Sequence, residues 1–212
     1  MKKLLIFLVL FILVATLATI LLKPQHHKTA RTSTIQSVIT RTEKNYGEEI
    51  EKYCQKFNLP AEYFKALVIL ECSGAKPAPS RFEPKVFEKL KRVKYEKDDK
   101  FDVITPSDLE KYSDRELIDL ATSWGPLQIM GYHSIPLNIH IKELKGEKSL
   151  YYSILWANQN YGYLLRKKDF KNAFHFHNTG RMHPNGLPQT YHRNYVSLGI
   201  EYTKKFQKTK KK

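Results

Sequence analysis

Apolar residues recur at intervals of three and four along most of the chain after residue 43, which is the spacing of helices that bury one face. This spacing predicts helices over residues 46–57, 60–74, 149–166 and 191–206, and a short helix within residues 81–93 that begins near Pro84. No segment alternates apolar and polar residues convincingly, so at most a small hairpin is expected, around residues 94–105. The chain is therefore predicted to be mostly α-helical.

Two further helices are predicted from their capping residues. Ser113 and Glu116 have the spacing of a capping box, which predicts the start of a helix. The apolar pattern predicts that this helix ends near Trp124. Asp169 is placed to cap a helix that extends through His177.

One carboxylate interrupts the apolar pattern. The helix predicted over residues 60–74 stacks Phe64, Leu67 and Val68 on one face, and Glu71 continues that stripe. Glu71 is therefore predicted to point toward the apolar interior, just before the helix ends. Burial there would disfavour the ionised form and raise the pKa, which a general acid working near neutral pH needs. The alternative is that Glu71, in the last helical turn, rotates out to solvent. Its position in the sequence alone does not distinguish the buried acid from the exposed one.

The chain begins with an apolar run. Residues 4–22 are nineteen uncharged residues, close to the ~20 that a helix needs to cross a bilayer. The run is longer than the apolar part of a cleaved secretory signal, and only a weak cleavage site occurs, near Ala18. Residues 23–42 are polar, rich in Thr and Ser and without helical periodicity, which is typical of a flexible linker. The expected organisation is a signal anchor that crosses the membrane, a linker, a folded domain and a basic tail, over residues 1–22, 23–42, 43–207 and 208–212.

The formal net charge of +15 is concentrated at the two ends of the chain. Residues 1–44 contain seven Lys or Arg against one acid, and residues 203–212 contain six Lys and no acid, which together account for +12. The remainder is nearly balanced and has no basic helix interleaved with aromatic residues. No nucleic-acid partner is predicted, although a membrane-tethered nucleic-acid binder that uses its basic tails is an alternative.

The two cysteines, Cys54 and Cys72, do not have the spacing of a metal motif. If residues 46–57 and 60–72 form an antiparallel helix pair that turns near Asn58, Cys72 lies ~13 Å along the axis from the residue opposite Cys54. A disulfide needs Cα atoms within ~7 Å, so both cysteines are predicted to remain thiols. The spacing of the histidines fits no metal site either, and neither a metal nor a cofactor is expected.

Four segments that follow one another along the chain resemble the lysozyme-like superfamily that cleaves peptidoglycan, and its lytic transglycosylases in particular. They are ECSG at residues 71–74, WGPLQIMG at 124–131, FHFHNTG at 174–180 and LPQTYHRNYV at 187–196. RFEPKVF at 81–87 and ATSWGPLQIMG at 121–131 resemble the N-acetylmuramidase-like subgroup of that superfamily. Two residues depart from the transglycosylase pattern. Cys72 stands where serine is usual, and Leu127 stands where methionine is usual, which is a volume-conserving exchange.

The resemblance implies a lysozyme-like helical domain, goose-type or transglycosylase-like, that cleaves the β-1,4 bond between N-acetylmuramic acid and N-acetylglucosamine. Glu71 would be the general acid that protonates the bridging oxygen. In a transglycosylase the same carboxylate then acts as base on the 6-hydroxyl of the muramic acid, and no second carboxylate is needed. A hydrolysing muramidase would use one, for which Glu83 is the first candidate, followed by Asp98, Asp99 and Asp102. The alternative for Glu83 is an ordinary acid in the first turn of a helix, with no catalytic role.

The same resemblance implies that other residues of these segments bind substrate. Gln128 would hydrogen-bond the sugar or orient the acid, and Asn178 would position backbone or a sugar N-acetyl group. Tyr195 would donate its hydroxyl near Glu71. The residues expected to line the sugar groove are Trp124, Met130 and Tyr132, the two aromatic ones by stacking on sugar faces. The alternative is a surface position beside a turn for Gln128 and a plain turn-former for Asn178. For Tyr195 and Trp124 the alternative is packing in the core.

The partner implied by the resemblance is the glycan strand of peptidoglycan, and an exported domain is required to reach it. The expected location is therefore the bacterial cytoplasmic membrane, crossed once by residues 4–22, with the domain in the periplasm or outside the cell. An alternative of another class is a lysozyme-like domain that grips glycan, or scaffolds envelope machinery, without cleaving it. A glutamate at position 71 favours the enzyme over this alternative.

Overall fold

Helices make up most of the chain in the computed structural model, which describes residues 26–209. The α-helices are α1 (His26–Thr42), α2 (Glu48–Phe57), α3 (Ala61–Cys72), α4 (Pro84–Lys94), α5 (Pro106–Leu109), α6 (Asp114–Leu120), α7 (Ile141–Lys145), α8 (Ser149–Arg166), α9 (Phe170–Thr179) and α10 (Tyr195–Thr209). A π-helical turn, Glu43–Gly47, joins α1 to α2. The predicted mostly α-helical class is confirmed.

Helix α3 lies in the core of the compact unit that begins at Val38, and nine of its twelve residues are buried. It packs against α10 and α2. Phe64, Leu67 and Val68, the apolar stripe of the sequence, are fully buried. Each such side chain contributes about 1.5–3 kcal/mol by leaving water. Glu71 lies on the same face of α3 as this stripe, three residues after Val68 and four after Leu67, so it is directed to the same side as the buried stripe.

A second apolar cluster is built by α4, α5, α6 and a 3₁₀ turn at Gly131–Ser134. Its buried members are Leu90, Val93, Ile104, Leu109, Leu117, Leu120, Ala121 and Tyr132. Elements of this cluster precede or follow the strands of a small sheet in the chain, so the cluster holds the ends of those strands in place.

That sheet has three short antiparallel strands in the order β1 (Arg81–Phe82), β2 (Thr122–Trp124) and β3 (Ile129–Met130). Ser123 in β2 lies opposite Arg81 on one side and Met130 on the other. The sheet therefore brings the loop before β1 next to the turn between β2 and β3.

The sequence prediction misses this sheet, because strands of two or three residues are too short for alternation to distinguish them from a turn or a helix. The helix boundary predicted near Trp124 is wrong for the same reason: α6 ends at Leu120, and the chain then enters β2. Around residues 94–105, where a small hairpin is allowed, the structure has one antiparallel bridge between Phe101 and Ile104.

Two other predicted boundaries are wrong. Residues 26–42 of the expected non-helical linker form α1. The last turn of this helix contains the buried residues Ile39 and Thr42, so tertiary packing outweighs the weak helix propensity of a segment rich in Thr and Ser. The final helix begins at Tyr195 and not at Tyr191, whose side chain is exposed.

The predicted helix caps are confirmed. Ser113 Oγ accepts a hydrogen bond from Glu116 N at 3.3 Å, and Glu116 Oε2 accepts one from Ser113 N at 2.7 Å. Asp169 Oδ1 accepts from Asn172 N at 3.2 Å and begins α9. These caps supply acceptors for backbone N–H groups that the first helical turn leaves unpaired.

Both cysteines are buried thiols, as predicted. Cys72 Sγ lies 3.4 Å from Val68 O, and burial raises the pKa of its thiol to about 11. A thiol that stays protonated at neutral pH is a poor nucleophile, so Cys72 is a packing residue beside Glu71.

No helix among residues 26–209 is long and apolar enough to cross a membrane. The predicted signal anchor, residues 4–22, lies outside the described residues.

Candidate functional site

Glu71 lies in the last turn of α3, and only 17% of its side chain is exposed. The helix ends directly after Cys72, because Ser73 and Gly74 have positive φ angles of 53° and 72°. A Cβ added at Gly74 would lie 2.6 Å from the hydroxyl of Thr42, so this close approach requires glycine. The end of α3 is thereby fixed, and the predicted inward direction of Glu71 is confirmed.

Tyr195, the first residue of α10, donates a hydrogen bond from its hydroxyl to Oε1 of Glu71. The side chain is buried, and its ring stands edge-on to Phe174 at 6.4 Å. Burial and the neighbouring carboxyl raise the pKa of the phenol well above its ordinary value, so the hydroxyl remains a donor. The structure thus places the Tyr195 hydroxyl beside Glu71, where the resemblance puts it.

His177 on α9 places Nε2 at 3.9 Å from Oε1 of Glu71, and its side chain is 4% exposed. Its Nδ1 lies 2.8 Å from the hydroxyl of Tyr161, and its Nε2 lies 2.9 Å from Leu127 O. Burial lowers the pKa of the imidazole to about 4. The ring is therefore uncharged at neutral pH and forms no ion pair with Glu71.

Burial raises the pKa of Glu71 from its ordinary value of 4.5 to about 7. The hydrogen bond from Tyr195 and the positive charge of Arg81 act in the opposite direction, because both favour the carboxylate. A carboxyl group with a pKa near the ambient pH is suited both to giving and to taking up a proton.

Arg81→Gln is expected to raise the pKa of Glu71 above its wild-type value. The substitution removes a cation that favours the carboxylate, while the guanidinium itself is largely exposed and its loss leaves the core intact. The pKa can be followed by ¹³C NMR titration of the glutamate carboxyl carbons. Arg81→Lys keeps the charge and should titrate like the wild type. An unchanged pKa in Arg81→Gln would show that the charge of Arg81 does not act on Glu71.

Gln128 has a positive φ of 48°, and the protein itself satisfies its side-chain amide. Nε2 donates to Pro79 O at 2.6 Å and to Gly125 O at 2.8 Å. Oε1 accepts from Ser123 Oγ at 3.0 Å. Gln128 therefore ties the turn between β2 and β3 to the loop before β1, which is a structural role in the turn.

The predicted groove residues lie on the sheet and in the turn that follows it. Trp124 is partly buried and donates from Nε1 to Asp119 O at 2.9 Å. Met130 packs partly buried against the second apolar cluster. Tyr132 is a buried member of that cluster, and its hydroxyl donates to Asp102 Oδ2 at 3.3 Å. The ring of Tyr132 thus belongs to the core and does not face solvent, contrary to the predicted stacking on a sugar face.

Asn178 and Glu83 each have a partner of their own. Asn178 Oδ1 accepts from Tyr191 N at 3.2 Å and so shapes the segment before α10. Glu83 precedes α4, and its Oε1 lies 2.5 Å from Nη2 of Arg81. Within residues 26–209, neither forms a hydrogen bond or an ion pair with Glu71.

The sequence analysis does not assign His177, Tyr161 or Arg81 to the site. His177 and Arg81 do lie in the segments FHFHNTG and RFEPKVF, so the resemblance marks their neighbourhood. Nothing in the sequence marks Tyr161, which reads as one more apolar position of α8.

Among residues 26–209, no group of three or more His, Cys, Asp or Glu side chains is placed to hold a metal ion. Comparison of the chain with protein-family models, with curated proteins and with solved structures found no match.

Proposed function

We propose that this protein cleaves the β-1,4 bond between N-acetylmuramic acid and N-acetylglucosamine in peptidoglycan, with Glu71 as the general acid. The observation that carries the proposal is the state of this one carboxyl group: it is buried at a helix end, its pKa is about 7, and it accepts a hydrogen bond from Tyr195. The finer fold class that goes with this function is a lysozyme-like domain. The four sequence segments that resemble lytic transglycosylases support both parts.

The first chemical step is a proton transfer from the Glu71 carboxyl to the bridging oxygen. The bond from that oxygen to C1 of the muramic acid breaks, positive charge develops on the sugar, and Glu71 becomes a carboxylate. The Tyr195 hydroxyl then donates to a charged acceptor, and such a hydrogen bond is stronger than one to a neutral carboxyl. Tyr195 therefore stabilises the product of proton transfer more than the starting acid, which is the condition for lowering the barrier.

The second step returns the proton. The 6-hydroxyl oxygen of the same muramic acid attacks C1, and its proton passes to the Glu71 carboxylate. The products are a 1,6-anhydro end and an N-acetylglucosamine end, and Glu71 is again protonated. A single residue with a pKa near 7 serves as acid and then as base, so this route consumes no water.

The contacts of three of the four other candidate carboxylates support this one-carboxylate route over hydrolysis. Glu83 is held by Arg81 at 2.5 Å, Asp98 is held by Arg92 at 2.6 Å, and Asp102 accepts from Tyr132 at 3.3 Å. Each of these side chains already has a partner in the protein. A muramidase that uses Glu83 to place a water molecule would have to open the pair with Arg81.

The proposed location follows from the substrate. Peptidoglycan lies outside the cytoplasmic membrane, so the domain would be exported and held to the membrane by residues 4–22.

Mass spectrometry of peptidoglycan digested by the full-length protein tests the proposal. New 1,6-anhydromuramic ends are expected. New reducing ends of muramic acid would replace the transglycosylase assignment by a hydrolysing muramidase. A digest without new ends, under conditions in which the protein stays folded, would contradict the enzymatic proposal.

A further inference from the structure

His177 is a buried polar group, 3.9 Å from Glu71, that the proposed chemistry does not use. Its two ring nitrogens form hydrogen bonds to two different parts of the fold. Nδ1 lies 2.8 Å from the hydroxyl of Tyr161 on α8, and Nε2 lies 2.9 Å from Leu127 O in the turn after β2. The ring also stands edge-on to Trp156 at 5.8 Å, so packing holds it in place. His177 thus connects α9 with α8 and with the turn between β2 and β3.

The tautomer of His177 follows from these two contacts. A backbone carbonyl can only accept a hydrogen bond, so Nε2 must carry the hydrogen that Leu127 O accepts. In a neutral ring Nδ1 then has a lone pair, and the Tyr161 hydroxyl donates to it. Tyr161 thereby selects the tautomer that Leu127 requires.

The turn held by His177 has a backbone that needs support. Gln128 directly follows Leu127 and has a φ of 48°, in the left-handed region that non-glycine residues rarely adopt. The bonds of its own side chain hold one side of the turn, and the bond from His177 to Leu127 holds the other. The same ring lies 3.9 Å from Glu71. One side chain therefore both hydrogen-bonds the turn and lies beside the carboxyl group of Glu71.

We propose that His177 is a positioning residue, which acts by fixing the turn at residues 125–128 against the carboxyl of Glu71 through a single, Tyr161-selected tautomer. The inference rests on the proposed function, since it is the glycan bound along this turn that His177 would align with the acid. The Nε2–H is directed to Leu127 O and not to Glu71, so His177 does not itself transfer a proton.

His177→Phe tests the proposal, because it keeps a ring of similar shape and removes both nitrogens. Amide hydrogen exchange at Gln128, whose N–H bonds to Gly125 O at 3.1 Å, reports on the turn without any substrate. Loss of one buried hydrogen bond is expected to speed this exchange by about tenfold. In the cleavage assay kcat is expected to fall by about tenfold or more while KM changes little, because misplacement affects the reacting geometry more than the binding.

His177→Gln is the rescue variant, because a glutamine amide can present an N–H near the position of Nε2. It should restore both the exchange rate and kcat to within about threefold of the wild type. His183→Phe is the matched control: His183 Nδ1 also lies against a backbone carbonyl, that of Pro184 at 2.6 Å, and its loss should leave exchange at Gln128 unchanged.

Unchanged exchange at Gln128 in folded His177→Phe overturns the proposal, and so does failure of His177→Gln to restore it. If His177→Phe does not fold, Tyr161→Phe decides, because it keeps the ring and removes the donor to Nδ1. Exchange at Gln128 must then rise, and no rise overturns the proposal. The two hypotheses fail separately, since a wild-type protein that makes no new glycan ends contradicts the proposed function alone.

Discussion

Glu71→Gln is expected to lower the rate of glycan cleavage by a factor of about 10² to 10⁴, the range that general acid catalysis contributes. Glutamine has nearly the same shape as glutamic acid and can still accept the hydrogen bond from Tyr195. It has no proton to transfer to the bridging oxygen, however, and cannot accept one from the 6-hydroxyl. Release of soluble fragments from purified peptidoglycan measures the rate, and co-sedimentation with insoluble peptidoglycan measures binding, which should remain.

The matched control is Glu62→Gln, the same exchange in the first turn of the same helix. Glu62 Oε1 accepts from Gln207 Nε2 at 3.1 Å, at the opposite end of α3 from Glu71. This variant should cleave at close to the wild-type rate. If Glu71→Gln turned over glycan as fast as Glu62→Gln does, Glu71 would not be the acid. If the wild type bound glycan and neither variant nor wild type cleaved it, the glycan-binding scaffold would be the better description.

The direction of Glu71 could be predicted from the sequence because it depends on one helix. Phe64, Leu67 and Val68 precede it in the same stripe, so Glu71 is directed to the side on which these three residues are buried. The cap at Ser113 could be predicted for the same reason, since its partner is three residues away. Local periodicity is sufficient wherever the interacting residues share an element.

The rest of the site depends on contacts between distant residues, which periodicity cannot supply. Tyr195 is 124 positions from Glu71, and its pairing was expected only from the resemblance. Leu127 is 50 positions from His177, and the tautomer of that ring depends on a third residue, Tyr161. The sheet that brings Arg81 beside Ser123 consists of strands too short to leave a pattern.

The free energy of unfolding of the wild type is expected to fall, relative to Glu71→Gln, by about 3 kcal/mol as the pH rises from 4.5 to 8. Glu71 has a pKa of about 7 in the folded protein and an ordinary value of 4.5 when the chain unfolds. Between these values the folded state binds the proton more tightly than the unfolded state does. The stability linked to this proton is therefore fully present below pH 4.5 and is lost as the pH rises through 7. Glutamine cannot ionise, so the free energy of unfolding of the variant does not fall with pH for this reason.

The difference between variant and wild type must be measured, because other groups titrate in the same range. Burial lowers the pKa of His177 to about 4 and that of His133 to about 3. Their folded states bind the proton less tightly, so they stabilise the protein above pH 6.5 and this stability is lost as the pH falls, with a slope opposite to that of Glu71. Urea unfolding of both proteins at several pH values gives the difference directly. Glu110→Gln, at an exposed position, is the control and should run parallel to the wild type. A Glu71→Gln curve that also runs parallel to the wild type would show that the Glu71 carboxyl is ionised at neutral pH, and the acid proposed for the first chemical step would be missing.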